Sequence, residues 1–133
     1  MGIKATPYGP VHEVEYTSDI LRVEFFEGDL SIAIAKHRLP SGKVAGLIVR
    51  FREVLGFRFL DEADLSRYWI SDGFPRGCHV LAVAEGGWSE EENTLQGYEF
   101  SRYEWLVITG NGCLNVFASE EPMLEEAEFE YGA

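Results

Sequence analysis

Residues Tyr103 to Ser119 read YEWLVITGNGCLNVFAS, two apolar runs around Gly-Asn-Gly, and no other stretch restricts the fold as strongly. Asn-Gly supplies the two positive-φ positions of a type I′ turn, so the pattern predicts a β-hairpin closing at Asn111-Gly112. That loop sets Val107 opposite Val116, Trp105 opposite Ala118 and Thr109 opposite Leu114 on one face. Leu106 with Phe117 and Ile108 with Asn115 form the other. Both faces are apolar, which predicts a hairpin covered on both sides, inside a sandwich or a closed sheet. A bulge at Gly110 would shift the register.

The remaining chain continues in the same idiom. Val14 and Tyr16, then Leu21, Val23 and Phe25, then Leu30, Ile32 and Ile34 recur at every second residue, with Glu27-Gly28-Asp29 marking a second hairpin. Residues 1–10, with Pro7, Gly9 and Pro10, read as an irregular lead-in. Ala45 to Leu60 alternates Val49, Phe51, Phe57 and Phe59 with Arg50, Arg52 and Arg58, broken by a bend or bulge near Leu55-Gly56, and turns the arginines to solvent or a partner. Asp61 to Trp69 carries an Asp61 cap, Asp64 in the first turn and Leu65, Tyr68 and Trp69 on one face, so one short helix is expected near residues 62–70. Cys78 to Ala84 reads as a buried strand, Glu85 to Asn93 as an acidic loop carrying Trp88, and residues 119–133 as an acidic segment forming an edge strand with one charged face. The expectation is a single mainly β domain over 1–133, an antiparallel β-sandwich or partly closed barrel of roughly seven to nine strands.

Charge is the strongest functional clue. The chain of 133 residues has a net charge of −12, yet residues 1–60 carry eight Lys/Arg against seven Asp/Glu, while residues 61–133 carry three against sixteen. An acidic half of this kind repels nucleic acid and anionic membrane and attracts basic proteins, although acidity also serves plain solubility. The opening Met-Gly-Ile-Lys-Ala-Thr matches a loose N-myristoylation pattern, but no basic patch would assist a single acyl chain. No run is apolar and long enough to span a bilayer and no secretory layout opens the chain, so a cytoplasmic location is expected.

Chemistry-bearing motifs are absent. His12, His37 and His79 are scattered, and adjacent Cys78 and His79 point to opposite strand faces, so no metal or cofactor is expected. Cys78 and Cys113 sit in apolar runs and read as buried free thiols. Glu53, Glu99 and Glu104 have apolar neighbours that would suit a general acid, but the expectation is that all three face solvent or pair with arginine, leaving no catalytic residue.

Phe51 to Trp69, FREVLGFRFLDEADLSRYW, and Tyr103 to Pro122 together resemble small acidic proteins found among the immunity components of bacterial toxin systems. The resemblance implies a non-enzymatic protein that binds and blocks a cationic toxin, often a nuclease, through carboxylates placed where phosphates would lie. The expected contact surface is Trp88 with Glu90, Glu91 and Glu92, together with Glu120, Glu121, Glu125, Glu126, Glu128 and Glu130. Trp88 in that surface either folds back onto the domain or anchors a partner. The alternative is a small barrel holding an apolar molecule against Trp105 and Phe117.

Overall fold

The computed structural model describes residues 3–9, 14–15, 17–61, 77–97 and 103–130. These form two antiparallel sheets packed face to face as a β-sandwich that does not close into a barrel. One sheet has five strands in the order β1 (Lys4–Pro7), β6 (Val80–Glu85), β7 (Glu104–Ile108), β8 (Gly112–Phe117), β5 (Gly56–Asp61). The other has four, in the order β2 (Asp19–Phe26), β3 (Asp29–Arg38), β4 (Val44–Phe51), β9 (Met123–Phe129). The helix expected near 62–70 lies outside the described residues, as do Tyr16 and His12.

Alternation dictates the core. Leu30, Ile32 and Ile34 of β3 and Leu47, Val49 and Phe51 of β4 face Trp105, Val107, Leu114 and Val116 of the β7–β8 hairpin, all buried. On the hairpin's other face, Leu106, Ile108 and Cys113 pack with Ile3, Leu60, Cys78 and Leu81. Every residue of β7 and β8 is buried, so the central hairpin is covered on both sides as its sequence requires. Cys78 and Cys113 are buried and unbridged.

The hairpin's register differs from the expected one. Val107 faces Leu114 and Trp105 faces Val116, which makes Gly110-Asn111 the turn in place of Asn111-Gly112. None of Gly110, Asn111 and Gly112 has a positive φ. The turn is instead held by side chains: the Thr109 hydroxyl accepts from the Asn111 and Gly112 amides at 3.3 and 3.1 Å. Fully buried Ser18 braces it from across the sandwich, its hydroxyl accepting from the Gly110 amide at 2.8 Å and its carbonyl from the Asn111 side chain at 3.1 Å. A two-residue displacement preserves strand parity, so each side chain keeps its face. Positive φ appears in the other hairpin, where Glu27 at 49° and Gly28 at 86° supply what a type I′ turn demands.

Three further expectations are corrected. Lys4–Pro7 is not irregular but an edge strand on β6, with Pro7, which lacks an amide donor, at its end. The segment 45–60 is two strands in different sheets: the chain crosses the sandwich at Arg52–Leu55, where Glu53 has φ 49° and the Val54 and Leu55 amides donate to Gly28 and Phe117 carbonyls. The acidic stretch Glu85 to Asn93, expected as a loop, is helical from Trp88 onward, as part of α1 (Trp88–Gln96). If Thr109 holds the central turn, Thr109→Val should cost about 1–3 kcal/mol in urea denaturation by stranding buried amides, while Asn111→Ala should cost less. The reverse order would indicate a turn that depends on Asn111.

Candidate functional site

Helix α1 starts at Gly87 without a side-chain cap of its own. The cap comes from β7: the Glu104 carboxylate accepts the Trp88 amide at 2.9 Å and the Ser89 amide at 2.8 Å. These are the donors that a helix N-terminus leaves unsatisfied, and a carboxylate complements the positive end of the helix dipole. A side chain at Gly87 would collide with that carboxylate, so glycine permits the approach. At the other end Gly97, in the left-handed region at φ 80°, returns its amide to Asn93.

The carboxylate belongs to a wider network on the outer face of the five-stranded sheet. Asn115 of β8 donates to Glu104 at 3.1 Å and accepts from Arg58 Nε of β5 at 3.0 Å. Arg58 reaches on to Glu91 at 2.6 Å and lies 5.2 Å from the centre of the Trp88 ring. Trp88 stacks on Phe117 at 4.2 Å and donates its indole N–H to Glu92 at 2.9 Å. Burial raises the Glu104 pKa above its ordinary value of 4.5, and this outweighs the opposing effects of the Ser89 and Trp88 amides, the Asn115 amide and the Arg58 charge. Of the two settings expected for Glu104, solvent or an arginine, the structure gives burial with Arg58 close enough to act on its charge, linked to it through Asn115. Glu104 is buried against α1, whereas Glu53 is exposed and Glu99 lies outside the described residues.

The structure separates the expected contact residues into two groups. Trp88 and Glu91 dock α1 on the sheet, Glu92 holds the Trp88 indole from within the helix, and Glu90 accepts the Gly86 amide in the first helical turn. Trp88 is thus folded back onto the domain. The second group lies on the opposite sheet, along β9 and its flanks. Glu126 is the counter-ion of buried Lys36 at 3.0 Å, and Glu121 accepts the Tyr8 hydroxyl at 3.0 Å. Glu125 and Glu130 make only long, exposed pairs with Arg50 and Lys43, at 3.5 and 3.9 Å. Glu120 and Glu128 are exposed and make no hydrogen bond or ion pair with the described residues. Within the face expected to be acidic, Glu126 stays exposed but its charge is balanced by buried Lys36.

Of the three arginines, Arg50 and Arg52 are exposed as expected, while Arg58 is half-buried in the α1 network. Arg50 and Arg52 border a groove of about 450 Å³ on the outer face of the four-stranded sheet, shared with Phe26, Asp29, Ser31 and Met123. His79 is buried with Nδ1 donating to the Ile108 carbonyl at 2.7 Å, and His37 lies 3.7 Å from Glu15. No group of three or more potential metal ligands occurs among the described residues, and none of their helices is long and apolar enough to cross a membrane. Arg58, Glu104 and Asn115 went unrecognised as a set. Their signal was a polar residue in each of three otherwise apolar runs, FRFL, EWLVI and CLNVF.

No protein-family model, curated protein or solved structure matches the chain.

The Glu104 network sets a pH dependence. The folded carboxyl holds its proton to higher pH than the unfolded one, so between 4.5 and the raised folded value this group makes stability fall as pH rises. Urea denaturation across that range should show the wild type losing stability relative to Glu104→Gln, which does not titrate. A difference that is constant, or that changes in the opposite direction, would contradict the buried setting.

Proposed function

We propose that the protein is a non-enzymatic binding protein of the immunity or inhibitor type, which sequesters a basic protein through the acidic rim along β9. The supporting observation is how the acids of the second half divide: those near α1 are committed to the fold, whereas Glu120, Glu125, Glu128 and Glu130 face outward with no partner or a long one. Half-exposed pairs such as Arg50–Glu125 contribute only about 0–1 kcal/mol, so a partner's cations can replace them at little cost. The rim's negative field would speed encounter with a basic domain and weaken as salt screens it. Packing disfavours the small-molecule alternative. Trp105 and Phe117 lie on opposite faces of the hairpin, Trp105 packed against Tyr8 and Phe51 and Phe117 under Trp88, so the two cannot line one cavity.

The test is capture from a cell extract at low salt, followed by rebinding of the purified basic protein to variants. Replacing Glu120, Glu125, Glu128 and Glu130 together with Gln should abolish binding and leave the melting temperature nearly unchanged. Glu91→Gln should retain binding and lower stability by about 1 kcal/mol, because Glu91 is partly exposed. Binding that survives loss of the β9 acids and fails with Glu91→Gln would overturn the assignment.

A further inference from the structure

The two outer strands of the four-stranded sheet are unlike. β9 is lined with glutamate, a common protection for an open edge, whereas β2, DILRVEFF, carries no lysine or proline and is interrupted only near its start, where the register shifts between Ile20 and Arg22. β2 lies beside β5, the outer strand of the other sheet, with the rings of Phe25 and Phe57 5.4 Å apart. Of the eight large apolar side chains exposed among the described residues, five belong to this side: Leu21, Phe25, Phe26, Leu55 and Phe59, at 50–79% exposure. Apolar surface is therefore concentrated where, among the described residues, β2 and β5 are the outermost strands of their sheets.

We infer that the β2 edge pairs with the β2 edge of a second copy, antiparallel about a twofold axis through Val23, forming a continuous eight-stranded sheet. Backbone geometry fits this axis. In a two-residue hairpin the residues flanking the turn exchange their main-chain bonds, so Phe26 and Glu24 direct theirs to β3, while Phe25 and Val23 direct theirs outward. An axis at Val23 joins these outward groups, Val23 to Val23 of the second copy.

Side chains fit the same register. Arg22 falls opposite Glu24 of the second copy, twice by symmetry, in the closer non-hydrogen-bonded positions where oppositely charged side chains interact best. Among the described residues of the single chain these two pair with each other along the strand, at 2.9 Å, with side chains 66% and 59% exposed. The regular part of this pairing is the segment Arg22 to Glu24, because the strand carries a register shift between Ile20 and Arg22 in which Leu21 has no partner in β3. The chain's charge of −12 does not oppose the contact locally, because β2 to β5 come from the balanced half. The two β9 strands would stand seven strand spacings apart, about 34 Å, well beyond the screening length at physiological salt. Both acidic rims would remain open at the far ends of the sheet.

Sedimentation equilibrium over a concentration series tests the pairing. The wild type should approach twice its 15.0 kDa mass. Val23→Pro removes an outward amide that β3 does not use, so it should abolish the dimer and keep a β circular dichroism spectrum, with some loss of melting temperature because Val23 also packs against the core; the charge reversals, on exposed side chains, should leave both close to wild type. Arg22→Glu and Glu24→Arg each set like charges opposite one another at both symmetric positions and should weaken the dimer about tenfold or more; combining them should restore it. A monomer at every concentration would overturn the inference, as would a dimer indifferent to Val23→Pro and to both charge reversals.

Discussion

The structure depends on burying one hairpin on both faces. Once β7 and β8 are enclosed, any polar side chain on them must find a partner inside the protein, because an unpaired buried polar group costs about 1–3 kcal/mol. Each of the three concerned recruits a different part of the chain. Thr109 organises the turn, Asn115 draws in Arg58 from β5, and Glu104 collects the N-terminal amides of α1. A helix that buries no residue fully is thereby fixed to the sheet at its N-terminus, and Trp88 covers Phe117. No buried side-chain nitrogen or oxygen among the described residues lacks a partner.

This constraint also sorts the acids. A carboxylate within reach of Arg58, the Trp88 indole or Lys36 acquires a partner within the protein, and Glu91, Glu92 and the still exposed Glu126 are the result. Those beyond reach remain as outward charge on β9 and its flanks. The sheet that carries them ends in two contrasting edges, β9 rich in glutamate and β2 bearing exposed Leu21, Phe25 and Phe26, so the proposed partner surface and the proposed self-pairing edge do not overlap.

Much of the fold was legible because alternation is local. The face of each hairpin residue, the β2–β3 turn at Glu27-Gly28 and the strand character of β6 all follow from neighbouring residues. What escaped depends on distant contacts. The central register is set by Thr109 and by Ser18, 92 residues from Gly110 in sequence. The α1 sequence WSEEENTLQ has little apolar periodicity and no capping side chain, and it becomes helical where Glu104 supplies the cap. The sheet change at Arg52–Leu55 looked like a bend because alternation resumes on both sides of it. For the acidic residues, sequence located the charge but not its internal partners, which come from β3, β5 and the helix itself.

The central claim is that Glu104 fixes α1 to the buried hairpin, and native-state hydrogen exchange of individual amides tests it most directly. The amides of Trp88 and Ser89, normally free to exchange at a helix N-terminus, should be protected nearly as well as those of β7 and β8. That protection should vanish in Glu104→Ala while the β7–β8 amides remain slow. Rapid exchange at Trp88 and Ser89 in the wild type would contradict the account, because α1 would then rest on the sheet without being held by it.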